Sequence, residues 1–181
     1  VDLDGDAASD FLGLGAVISD DGTTLAVGAP ETNDLITGSG PGYVRVYTRD
    51  GASWVQRGSD IVGTTNVDGL GFSVSLSEDG SRLAVGIPGE ASVASAIRVL
   101  EWNDLTSQWE QMGSDVTAPA SDGVGQDKRL AMSADGLSFV LGAPGNDNGG
   151  PATRNSGLAR VFEWNGSGWV QRGSDFANGT D

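Results

Sequence analysis

One phrase is written three times along this chain, at a spacing that leaves few folds open. Ser19-Asp-Asp-Gly-Thr-Thr-Leu-Ala-Val-Gly-Ala-Pro30 returns as Ser77-Glu-Asp-Gly-Ser-Arg-Leu-Ala-Val-Gly-Ile-Pro88, and again as Ser133-Ala-Asp-Gly-Leu-Ser-Phe-Val-Leu-Gly-Ala-Pro144. A second phrase, Trp-x-Gln-x-Gly-Ser-Asp, ends each copy at Trp54 to Asp60, Trp109 to Asp115 and Trp169 to Asp175. Taking Asp2, Asp60, Asp115 and Asp175 as equivalent gives units of about 58, 55 and 60 residues, a period that belongs to solenoids, propellers and linear arrays. The units are residues 2–59, 60–114 and 115–174, with 175–181 opening a further one. One such unit buries too little surface to stand alone, so the units must stack on each other or on further copies.

Each unit reads as four short strands. Phe72-Ser-Val-Ser-Leu-Ser77 alternates apolar and small polar residues, the period-two pattern of a half-buried strand. Asp79-Gly80 then reads as a two-residue hairpin turn, because Gly accepts positive φ, and Asp21-Gly22 and Asp135-Gly136 repeat it. Arg82-Leu-Ala-Val-Gly-Ile87 is a nearly continuous apolar run, as in a strand covered on both faces, and Pro88 ends it. A third strand follows at Ala96 to Trp102 and a fourth at Gln108 to Met112, with the first and third units turning at Asp50-Gly51 and Asn165-Gly166. No segment keeps a 3.6-residue apolar period. The expected fold is all-β: four-stranded antiparallel units forming blades of a β-propeller. The third unit departs at Gln126 to Arg129, where a charged cluster replaces apolar alternation and predicts a bulged strand.

Composition narrows function. A net charge of −15 and a single lysine argue against nucleic acid and against anionic membrane surfaces. No apolar run approaches the roughly 18 residues of a membrane helix, so membrane insertion is not expected. The chain has no Cys and no His, which removes disulfides, thiol nucleophiles and the commonest acid–base groups. A two-carboxylate glycosidase would still be chemically open, but no acidic pair is marked by its surroundings, so no enzyme is expected. The start at Val1 and the stop at a repeat boundary read as a piece of something longer.

These phrases resemble the FG-GAP repeat of the integrin α-subunit propeller and of many secreted proteins. Leu70-Gly-Phe-Ser-Val74 stands where that family has Phe-Gly-x-Ser-Val, and Val27-Gly-Ala-Pro30, Val85-Gly-Ile-Pro88 and Leu141-Gly-Ala-Pro144 match its Val-Gly-Ala-Pro. The resemblance implies a propeller, usually of seven blades, and a binding or adhesion role. The Trp-x-Gln-x-Gly-Ser-Asp ending looks like a variant seen in tandem arrays. Calcium-binding members carry a nine-residue Asp-rich loop between the first two strands. Here that place holds only the short Asp-Gly turns, too small to wrap six to eight oxygens, so those sites do not carry over.

Four groups of residues remain as candidates. Asp2, Asp4, Asp6 and Asp10 have the alternating carboxylates by which short loops hold calcium, although a solvated loop of turn-capping aspartates has the same appearance. Arg45, Arg98 and Arg160 recur on the third strand beside Asp60, Asp115 and Asp175, a pattern of structural ion pairs. Trp54, Trp102, Trp109, Trp164 and Trp169 either fill the wedge between sheets or line sugar-stacking pockets. Asn165 and Asn178 are glycosylation acceptors that also read as turns. The sequence therefore points to a non-catalytic propeller module at the cell surface or outside the cell. Its role would be adhesion, surface architecture or binding of a protein or glycan. A carbohydrate-binding lectin formed by oligomerisation is the competing reading. Three blades do not close a ring, so further blades are expected from a parent chain or from identical subunits. Variation concentrates in the loops after Pro30, Pro88 and Pro144, where specificity is expected.

Overall fold

Apolar alternation and turn residues repeat three times in the sequence, and the computed structural model contains three antiparallel sheets. It describes residues 2–31, 40–65, 69–88, 94–118, 130–145 and 157–176. The loops after the three prolines lie mostly outside these residues, and Gln126 to Arg129 and Asn178 lie wholly outside them. No helix of the described residues is long and apolar enough to cross a membrane.

The first sheet joins β1 (Gly15–Ile18), β2 (Thr24–Ala29), β3 (Tyr43–Asp50) and β4 (Ser53–Gln56) in order, with β5 (Ile61–Val62) also on β3. The second joins β6 (Val74–Leu76), β7 (Arg82–Ile87) and β8 (Ser95–Asn103), with β9 (Gln108–Gln111) and β10 (Val116–Ala118) both pairing β8. The third runs β11 (Leu130–Met132), β12 (Ser138–Ala143), β13 (Leu158–Trp164) and β14 (Trp169–Phe176). These are consecutive up-and-down meanders, the blades of a β-propeller. The innermost strands β1, β6 and β11 contact one another in sequence, β6 touching both neighbours.

Two details differ from the sequence expectation. The β1–β2 turn is centred on Asp20 and Asp21, closed by the Gly22 amide donating to the Ser19 carbonyl at 2.8 Å, with Gly22 following at φ +69°. It is a five-residue connection, Ser19 to Thr23, rather than a two-residue hairpin, and the other two units repeat it at Gly80 and Gly136. The fourth strand is broken in two units: Gly58 at φ +82° separates β4 from β5, and Gly113 at φ +77° separates β9 from β10. In the third unit β14 stays continuous but slips register opposite Ala159 and Val161. Because β5 and β10 pair back onto the preceding sheet, each sheet ends a few residues beyond the Asp that closes its sequence unit.

Strand alternation sends side chains into two inter-blade cores. Val44, Val46 and Ala26 of the first blade meet Leu76, Leu83, Val85 and Leu100 of the second. From the opposite face of the second blade, Ala84, Ile97 and Val99 meet Leu130, Phe139 and Leu141 of the third. Burying each such aliphatic or aromatic side chain contributes about 1.5–3 kcal/mol before entropy. The apolar run of β7 is thus explained: the middle blade has a neighbour on both faces.

Candidate functional site

The Trp-x-Gln-x-Gly-Ser-Asp phrase is a single device in three dimensions. On the second blade Trp109 pairs across the hairpin with Trp102, ring centroids 5.5 Å apart and edge-on. The Trp109 Nε1–H donates to the Arg57 carbonyl of the first blade at 3.0 Å. Trp169 repeats this: it pairs with Trp164 at 5.4 Å, and its Nε1–H donates to the Met112 carbonyl at 2.8 Å. Each accepting carbonyl immediately precedes the strand-breaking glycine, which lies under the tryptophans. A Cβ on Gly58 would come within 2.9 Å of Trp102, and one on Gly113 within 2.7 Å of Trp164. The Arg57 guanidinium lies 4.6 Å from the Trp102 ring centroid and donates to the Gly80 carbonyl, while burial lowers its pKa.

The Gln and Asp of the phrase face the arginine of the third strand. Arg45 Nε donates to both Asp60 oxygens at 3.1 Å, its Nη2 adds a contact of 2.9 Å, and Gln56 donates to Asp60 at 2.7 Å. Arg98 engages Asp115 in the same fork at 3.0 and 2.8 Å, with Gln111 at 2.9 Å. The bidentate geometry holds the Asp60 carboxyl below its usual range, with Gln56 assisting, and raises the Arg45 pKa. Arg160 occupies the matching place on β13, whereas the side chain of Asp175 lies outside the described residues.

The acidic loop at residues 2–10 folds onto Arg45 and Tyr43. Asp10 is buried, and its Oδ2 accepts the amides of Asp6 and Ala7 at 2.8 and 2.9 Å and the Tyr43 hydroxyl at 3.0 Å. Asp6 reaches the Arg45 Nη2 at 2.5 Å, while Asp2 and Asp4 point to solvent. Burial, followed by the Asp10 hydrogen bond, pushes the Tyr43 hydroxyl up to about 12. No group of three or more acidic or other metal-ligating side chains converges among the described residues. Asn165 is exposed in its turn, its Oδ1 accepting from the Ser167 and Gly168 amides at 3.0 Å.

A groove of about 390 Å³ opens at the rim between the second and third blades, a size within the range of small-ligand sites. Trp102 and Trp164 line it, with Asn103, Asp104, Glu110 and Gln111. Its polar groups are held in place: Trp102 Nε1 donates to Asp104 at 2.7 Å, and Asn103 and Thr106 donate to Glu110 at 2.9 Å. Those bonds keep Glu110 ionised below its usual pKa. The sequence reading singled out the tryptophans but not these partners, nor the glycine platform, nor the link between Asp10 and Tyr43. The signal for the platform was present, since Gly58, Gly113 and Gly173 hold one place in a phrase that also carries the tryptophan.

No protein-family model matches the chain, and no curated protein matches it. Solved structures do. A Bacteroides fragilis protein described as a candidate 6-phosphogluconolactonase aligns over 94% of this chain and 40% of its own, at 11% identity and TM-score 0.61. The Pseudomonas aeruginosa periplasmic gluconolactonase aligns over 91% and 42%, at 20% identity and TM-score 0.53. Hydrazine synthase of Kuenenia stuttgartiensis aligns over 87% and 41%, at 15% identity and TM-score 0.54. The chain therefore spans about two fifths of the length of these matched structures. At such identities the likeness is one of fold, and the fold is the β-propeller.

Proposed function

We propose that this chain is a non-catalytic propeller module of FG-GAP-like type, acting outside the cell in adhesion, surface architecture or protein binding. One observation carries the reading: the side chains that recur in the blades are tied into the framework. The arginines Arg45 and Arg98 are forked onto aspartates, Trp109 and Trp169 donate to the neighbouring blade, and the turn aspartates Asp21, Asp79 and Asp135 cap their own turns. What differs between blades, and is free to specify a partner, is the set of connections after Pro30, Pro88 and Pro144. The test replaces those three connections by Gly-Ser linkers of equal length and compares cell attachment to surfaces coated with either chain. Loss of attachment at unchanged melting temperature supports the reading; equal attachment, or none by the natural chain, overturns it.

The rim groove favours a second reading, a carbohydrate-binding propeller. A half-buried tryptophan beside amides and carboxylates suits a sugar, whose C–H face stacks on the indole while its hydroxyls bond the polar groups. Glycan-array binding that disappears with Trp102→Ala would establish it. Silence across a broad array removes it.

A further inference from the structure

The blade-to-blade interface is built twice inside the molecule, and each half of it is also left partly uncovered once. Each of the first two blades presents a trailing face to the blade that follows. Ala26, Val44 and Val46 on the first blade and Ala84, Ile97 and Val99 on the second are at most 2% exposed there. The same positions on the third blade are Val140, Ala159 and Val161; Val140 is 38% exposed and the other two are partly open. Gly173, which matches Gly58 and Gly113 at φ +75°, has nothing within 4 Å of a built Cβ. Arg172 stands where Arg57 does and is exposed.

The leading face of the first blade is the missing complement. Ile18 is 51% exposed, whereas Leu76 at the matching place is 8% exposed against the first blade. Leu14 is 38% exposed where Phe72 is 3%. Trp54 occupies the position of Trp109 and Trp169, yet among the described residues its Nε1 meets no acceptor and its ring no aromatic partner.

Charge fits the same docking. Arg49 pairs across the hairpin with Trp54, where the other blades have Trp102 and Trp164. Trp164 shares its groove with Glu101 of the preceding blade, and Glu163 is the residue matching Glu101 on the third blade. Arg49 of an incoming first blade therefore faces Glu163, a carboxylate already paired with Arg172.

We propose that these two faces are halves of one interface, and that two copies of this chain close head to tail into a six-bladed ring. In that ring Trp54 of each copy donates to the Arg172 carbonyl of the other and lies on its Gly173. Six is the multiple of three that falls within the four to eight blades of known propellers, and head-to-tail contacts that close avoid open-ended fibres. The inference rests on the propeller fold, not on the adhesion reading.

Sedimentation velocity of the chain at tens of micromolar tests it. The expected species has twice the 18.4 kDa mass of one chain. Ile18→Asp on the leading face and Val140→Asp on the trailing face should each give a monomer with an unchanged circular dichroism spectrum, since both side chains are already exposed in the single chain. Trp54→Ala should weaken association at least tenfold. A natural chain that stays monomeric overturns the proposal and leaves the two faces to other blades. A dimer that survives either Asp substitution also overturns it, because a face-to-face dimer uses only one of the two surfaces.

Discussion

Gly113 and Gly51 both hold a left-handed backbone, φ +77° and +59°, but only Gly113 has a neighbour over it. Placing alanine at Gly51 meets open space, so Gly51→Ala should cost only the left-handed strain of about 1–2 kcal/mol. Gly113→Ala adds a Cβ within 2.7 Å of Trp164, whose ring packs against Trp169. We expect it to cost about 1–2 kcal/mol more than Gly51→Ala in urea unfolding; equal costs would mean that the tryptophan pair yields. The ion pairs make a second prediction. Asp60, held low mainly by Arg45, and Asp79, held low mainly by the Ser81 amide, have folded pKa values below the ordinary 3.8. Groups of this kind contribute stability that is fully present above the unfolded value and disappears as pH falls through the folded one. Stability should therefore be flat at neutral pH and fall below about pH 4. Arg45→Met should lower neutral-pH stability by about 1–2 kcal/mol and flatten the acid limb. A variant whose acid limb keeps the natural slope would show that Arg45 does not set the Asp60 titration.

At the scale of the strand, what the sequence discloses and what it hides divide along a physical line. The apolar run from Arg82 to Ile87 predicts β7 to the residue, because a continuous apolar run and the Pro88 that ends it are local signals. The expected first strand from Phe72 to Ser77 survives only as Val74–Leu76. Its first half is taken up by a contact no local pattern encodes: the Gly71 carbonyl lies where a Cβ on Gly28 would be, 2.1 Å away. The broken fourth strand was hidden for the same reason. Gly58 and Gly113 leave the ladder to receive tryptophans about 50 residues later in the chain, so the break is visible only once the blades are stacked. The pairing of Arg45 with Asp60, by contrast, was legible because both residues recur at fixed phase within one unit. Gly28 gives the test at this scale. Its φ is not in the left-handed region, so Gly28→Ala carries no backbone strain and reports the backbone-to-backbone contact alone. We expect a loss of about 3 kcal/mol, seen as a lower urea midpoint. A variant as stable as the natural chain would mean that the first two blades can shift apart without penalty.

For the whole molecule the dominant long-range force is self-repulsion, with 25 acidic against 10 basic residues. Its ion pairs are short and partly buried, Arg98 to Asp115 at 2.8 Å for example, and lie well inside the screening length of about 10 Å at 0.1 M salt. Repulsion between blades acts over longer distances and is screened first. The melting temperature should therefore rise when sodium chloride is raised from about 0.02 M to about 0.3 M, although salt weakens exposed pairs such as Arg172–Glu163. The same experiment bears on the acidic loop at residues 2–10. Asp10 is already engaged by two amides and a hydroxyl, and Asp6 by a guanidinium, so a cation entering there must displace bonds the loop depends on. At matched ionic strength, calcium and magnesium chloride should raise the melting temperature equally, and a chelator should cancel no more than the ionic-strength effect. An excess with calcium alone, abolished by Asp10→Asn, would show instead that the loop reorganises around the metal and gives up Tyr43 and Arg45 to do so.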